Sequence, residues 1–91
     1  MSEEIEPPFQ IIIMDDEPIE VKNPFSGRKA TLTPVAVSVY DTIIGSELIL
    51  TGAITVSRTK NQSDKNLIET IDKGKAWFIR HYPDEYMILL D

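Results

Sequence analysis

Residues 33–52, TPVAVSVYDTIIGSELILTG, are the longest apolar segment of the chain, and their reading decides how the rest is arranged. Thr33 can accept a backbone N–H through its hydroxyl, and Pro34 suits a first helical position, where its missing N–H has no partner to lose. On a wheel of about 100° per residue, Val35, Val39, Ile43 and Leu50 fall on one side and Val37, Tyr40, Ile44 and Leu48 on another. Ser38, Asp41, Thr42 and Gly45 leave only a narrow polar or small strip. A helix apolar on most of its circumference belongs in the interior, packed on more than one side. The competing reading is extended: Val, Thr and Ile are β-branched, and Glu47–Leu50, Thr51–Gly52 and Ala53–Val56 could form strand, turn and strand. The cap and the length favour the helix.

Working outward, Ile19–Lys22 and Lys29–Leu32 alternate apolar and polar, which places Ile19 with Val21, and Ala30 with Leu32, on one face of a pair of strands. Between them Asn23-Pro24-Phe25-Ser26-Gly27 has hairpin chemistry. Asn can bond its own backbone, Pro sets φ near −65°, and Gly accepts a positive φ. Phe25 at the tip has two readings: an exposed interface anchor, or, as slightly favoured, a lid folded back over the following helix. Upstream, Phe9–Met14 (FQIIIM) has high β-propensity and no proline, with Glu6 before it and Asp15, Asp16 and Glu17 after it as charged gatekeepers. It either joins the internal sheet, the commoner case, or pairs with the edge of another chain's sheet. Before it, residues 1–8 are expected to be mobile, with Pro7–Pro8 an extended spacer and no apolar pattern to anchor them.

Downstream, Ser57–Asn66 is polar and aperiodic, a linker at whose end Asn61 or Ser63 can cap a helix with Asp64 in its first turn. Leu67, Ile71, Phe78 and Tyr82, with Ile68 and Ile79, make an apolar stripe, and Gly74 lies within it where another backbone could approach. Trp77 and Phe78 are expected on the packed side or shoulder. Pro83 ends this helix, because the residue before a proline is pushed out of the α region. A short last helix from Asp84 should pack back under the central one. The fold class is therefore α+β: an N-terminal hairpin, three-stranded if FQIIIM joins it, with two longer helices and a short C-terminal one. Residues 1–17 form an acidic arm with a strand-like segment, and residues 18–91 a single small domain.

The charge of −6 is unevenly placed. Residues 1–20 hold seven acids and no Lys or Arg, while the other 71 carry eight acids against nine bases. The arm thus carries the whole excess, which repels nucleic acid, and no concentrated basic stripe lies elsewhere. The absence of cysteine excludes disulfides, thiolate nucleophiles and sulfur-ligated metal sites. No apolar run is expected to approach the roughly 18–20 residues that span a bilayer without polar interruption. The start, MSEEIEPP, is acidic where a signal peptide is basic, so an intracellular protein without membrane association is expected. A core this small leaves self-association open.

Chemistry is sparse. His81 is the one side chain that ordinarily titrates near neutrality, yet no Cys, second His or Gly-x-Ser-x-Gly elbow accompanies it, and a polar helix edge beside Trp77 is preferred to catalysis. Asp15-Asp16-Glu17 lacks the spaced ligands and glycine of a calcium loop. The four glycines are isolated, so no phosphate loop or dinucleotide fingerprint exists. Trp77, Phe78, Tyr82 and Tyr86 lack the basic groove of a base-stacking platform and read as core. No catalytic, cofactor-binding or metal residue is expected. Phe9, Ile11, Ile13, Asp15, Asp16 and Phe25 are the candidates for binding a protein partner.

Three segments taken together, VKNPFSG with the strand and TP that follow it, VYDTIIGSE, and GKAWFIRHYPDEYMILLD, resemble the small uncharacterised proteins encoded by tailed bacteriophages, including phages of cyanobacteria. The resemblance covers about residues 21–91; the acidic arm with FQIIIM departs from it. It implies a viral origin, and phage products of this size are mostly binders of host proteins or virion components. The expected function is that of a non-enzymatic accessory protein binding a host or phage protein in the cytoplasm of the infected cell. The alternative is a virion component, in capsid or tail, whose arm adds a strand to a neighbouring subunit.

Overall fold

A computed structural model describes residues 5–13, 16–53 and 63–90. Their elements run β1 (Ile19–Lys22), β2 (Lys29–Leu32), α1 (Pro34–Thr51), α2 (Asp64–His81) and α3 (Pro83–Leu89). The fold is α+β, a two-stranded antiparallel hairpin with two long helices and one short one.

The hairpin pairs Ile19 with Leu32, Glu20 with Thr31, Val21 with Ala30 and Lys22 with Lys29. The period-two pattern gives it one apolar face, on which Ala30 and Leu32 are buried and Ile19 and Val21 half-buried. Lys22 and Lys29 face each other, a like-charge pair that disfavours the strand ends. Lys29 Nζ reaches Glu20 Oε1 at 3.4 Å, but both groups are largely exposed, so the ion pair contributes little. FQIIIM does not widen the sheet. Phe9–Ile13 are neither strand nor helix, and Met14 lies outside the described residues.

α1 is built as its sequence indicates. Thr33 Oγ1 accepts from Ala36 N at 3.2 Å, Pro34 occupies the first turn, and Gly52 at φ 78° closes the helix, its N–H bonded to Ile49 O. By length and composition α1 is apolar enough to cross a membrane, with mean hydropathy 1.2 over 18 residues, but Asp41 and Glu47 interrupt it, so it is not an unbroken apolar run of that length. It serves here as the core helix: it packs on α2 and β2, and Ala36, Val39 and Ile43 are wholly buried. The strand–turn–strand alternative for residues 47–56 fails as far as Thr51, and Ile54–Val56 lie outside the described residues.

α2 starts at Ser63, whose hydroxyl accepts from Asn66 N at 3.3 Å, and ends where Pro83 follows Tyr82. Its packed face is Leu67, Ile71, Gly74, Trp77 and Phe78. The expected stripe is thereby rotated. Ile68 (47%) and Ile79 (52%) are exposed, and Trp77 takes the interior place. At Gly74 it is the Ile43 side chain that approaches, not a backbone: an added Cβ would overlap Ile43 Cγ1 and stand 2.7 Å from its Cδ1. α3 starts one residue earlier than expected, with Pro83 at its first position, and packs on β2 and α2 rather than chiefly beneath α1.

The arm joins this core. Ile5, Phe9 and Ile11 pack against the buried cluster, so the expectation of an unanchored start is corrected for residues 5–8, where Ile5 supplies an apolar contact and Glu6 O a hydrogen bond from Trp77; residues 1–4 lie outside the described residues.

Candidate functional site

The hairpin tip is the most exposed aromatic position among the described residues, and its backbone explains why it stands out. Asn23 Oδ1 accepts from Phe25 N at 2.8 Å and Ser26 N at 3.3 Å. Gly27 N donates to Asn23 O at 2.9 Å and Arg28 N to Ser26 Oγ at 3.2 Å. The four amides from Phe25 to Arg28 are thus satisfied inside the turn, and Gly27 at φ 77° supplies the left-handed step. Asn23 Nδ2 also donates to Ile88 O at 2.9 Å, which ties the turn to α3. The result is a preorganised loop with Phe25 98% exposed. The expectation that Phe25 folds back as a lid is overturned, because the turn closes its own hydrogen bonds without it.

Beside the tip runs an open groove of about 440 Å³, lined mainly by Pro24, Phe25, Tyr40, Ile44, Leu48 and Leu89. The outer face of α1 forms its floor, with Ile44 half-buried and Leu48 exposed. Glu47 stands at the rim, 3.7 Å from Lys75 Nζ. Burial, reinforced by Asp41 and Glu47, raises the Tyr40 hydroxyl above its ordinary pKa of 10.0, so it remains a neutral phenol throughout the physiological range. An exposed aromatic on a preorganised turn, next to an apolar groove with a charged rim, has the composition of a protein-recognition surface.

The arm makes a second concave region. A groove of about 550 Å³ lies between Gln10, Ile11 and Ile12 and the Val37, Ser38, Asp41 and Thr42 side of α1. Two hydrogen bonds hold the arm: Trp77 Nε1 donates to Glu6 O at 2.6 Å and Ser38 Oγ donates to Ile12 O at 2.9 Å.

The six candidate binding residues are divided by this arrangement. Phe9 and Ile11 are half-buried against the chain's own core, whereas Ile13 and Asp16 are exposed. Asp15 lies outside the described residues. Phe25 stands apart from all of them, on the other groove of α1. Sequence reasoning missed Leu48, Ile44, Tyr40 and Leu89 as groove residues, since each also reads as core, and it missed Trp77 as the clamp on the arm. The one available signal was that a buried indole N–H needs an acceptor. His81 is exposed at the end of α2, its ring 5.4 Å from that of Trp77. No cluster of three potential metal ligands occurs among the described residues.

No family model, no curated protein and no solved structure matches this chain.

Proposed function

We propose that this chain is a non-enzymatic interaction protein, a phage accessory factor that acts in the infected cell by binding a host or phage protein through Phe25 and the groove beside it. The observation that carries the reading is a 98% exposed phenylalanine on a turn whose own hydrogen bonds are complete. The turn's backbone is preorganised and has little freedom to lose on binding, and the exposed ring brings a large apolar surface, which is the profile of an interface anchor. Pro24, Leu48 and Ile44 extend that surface, and the sequence resemblance to small phage proteins supports the cellular setting. The alternative, a virion component whose arm adds a strand to its neighbour, requires Phe9 and Ile11 to leave the core first, and no separate observation favours it.

Affinity capture from infected host cells with the parent chain and with Phe25→Ala tests the reading. A partner retained by the parent should bind the variant about 30-fold more weakly, the size of a hot-spot loss, with unchanged circular dichroism. A partner held equally by both proteins removes the tip from the interface.

A further inference from the structure

The two edges of the hairpin are covered differently. β2 lies against α1 and α3, while β1 has β2 as its main contact. Asn23 N donates to Arg28 O at 2.8 Å, and with the strand register this makes Asn23–Arg28, Val21–Ala30 and Ile19–Leu32 the hydrogen-bonded pairs of the ladder. Glu20 and Lys22 are then the residues of β1 whose N–H and C=O point away from β2, and among the described residues no hydrogen bond reaches those groups. An open row of this kind is a template for another strand. Proline closes both ends of it: Pro18 and Pro24 continue the alternation of Glu20 and Lys22 and have no N–H to offer.

The strand that fits this row is β1 itself. Laid antiparallel across a two-fold axis at Val21, β1 of a second copy sets its Lys22 opposite Glu20, its Glu20 opposite Lys22 and its Val21 opposite Val21. The Glu20–Lys22 pairs join the residues whose backbone groups are open, so each pair exchanges both of its hydrogen bonds. Opposite charges meet on the exposed face, and the β-branched pair meets on the apolar face, where Val21 is half-buried. Sliding the second copy to the next hydrogen-bonding register in either direction sets Glu20 against Glu20 or Lys22 against Lys22, and a proline against the other residue. The charges therefore select one register. It also relieves the like-charge pair of the hairpin, since Lys22 faces Lys29 on one side and gains Glu20 of the second copy on the other. The acidic residues Asp16 and Glu17, before β1, come to the same end of the ladder as the second copy's turn, where Arg28 is the one charge of residues 23–28.

We propose that the outer edge of β1 is a self-association site, at which two copies of the chain join their hairpins through antiparallel Glu20–Lys22 pairs into one sheet of order β2-β1-β1-β2. The ladder uses neither Phe25 nor the groove floor on α1, so it goes beyond the function proposed above and does not depend on it. A short row between two prolines makes a small interface, and the dimer is accordingly weak and concentration-dependent.

The test is sedimentation and amide hydrogen exchange of the full chain over a concentration series reaching about 1 mM, where weak association is populated. In dilute protein the Val21 amide should be protected and the Glu20 and Lys22 amides open. As the dimer appears, Glu20 and Lys22 should become protected in step with it. Glu20→Lys and Lys22→Glu should each weaken the dimer about tenfold, because the two-fold axis applies the like-charge pair twice. The two substitutions combined reverse both members of each pair and should restore the parent's association. Both positions are exposed, so unchanged circular dichroism is the check on folding. A chain that stays monomeric throughout the series overturns the proposal, and so does a dimer in which the Glu20 and Lys22 amides remain open. A combined variant as weak as the single ones overturns the pairing. A dimer that ignores both single reversals but is lost in Phe25→Ala places the contact in the groove and overturns the β1 site.

Discussion

The hairpin tip and the N-terminal arm are both irregular segments with a proline followed directly by a phenylalanine, Pro24-Phe25 and Pro8-Phe9, and they treat the aromatic in opposite ways. At the tip, Asn23 and Ser26 close the loop's amides locally, so nothing draws Phe25 inward and its ring stays in water. Among its described residues the arm shows no such local closure. It takes hydrogen bonds from Trp77 and Ser38 and places Phe9 over the one position of α2 that has no side chain. Where an irregular segment finds its hydrogen-bond partners decides where its aromatic goes, because a buried backbone group without a partner costs on the order of a whole hydrogen bond.

This contrast can be broken by mutation. The largest effect is expected at Phe9→Ala, which empties a half-buried aromatic seat. A fully buried Phe→Ala costs about 3–5 kcal/mol, so roughly half of that, about 2 kcal/mol, should appear as a lower urea midpoint at constant m-value. A melt that coincides with the parent's would mean the arm contributes nothing to the core.

Asn23→Ala should come next, at about 1–2 kcal/mol, since it removes the acceptor of two turn amides and the donor to Ile88 O. Its specific signature is faster hydrogen exchange at Phe25 N and Ser26 N with the β1–β2 ladder still protected. If those amides exchange no faster, the side chain of Asn23 is not what holds the tip.

Phe25→Ala should be the smallest change, within about 0.5 kcal/mol of the parent, as for a surface position away from special features. A loss comparable to that of Phe9→Ala would show the ring packing on the body in solution and would erase the contrast between the two loops.

Much of the local structure was legible in the residues. Thr33-Pro34, Ser63-Asp64, Tyr82-Pro83 and Asn23-Pro24-Phe25-Ser26-Gly27 act over three to five neighbours through one hydrogen bond or one constrained dihedral, and each is found where its chemistry puts it. The rotation of α2 was not legible. Its apolar residues Ile68 and Ile79 are as hydrophobic as Leu67 and Phe78, and the choice between them depends on Ile43 fitting against Gly74.

By itself, the sequence determined the order and type of the elements, the alternating faces of the hairpin and the two helix caps, because these follow from short-range sterics and hydrogen bonding. Tertiary structure alone decided which side of α1 faces α2, that FQIIIM lies as a strap instead of a strand, and that Phe9 points in. α1 is apolar nearly all round, so its own pattern selects no partner face. β-propensity likewise names no ladder: the arm could be placed only by competition among distant surfaces, and the indole of Trp77 and the gap at Gly74 won it.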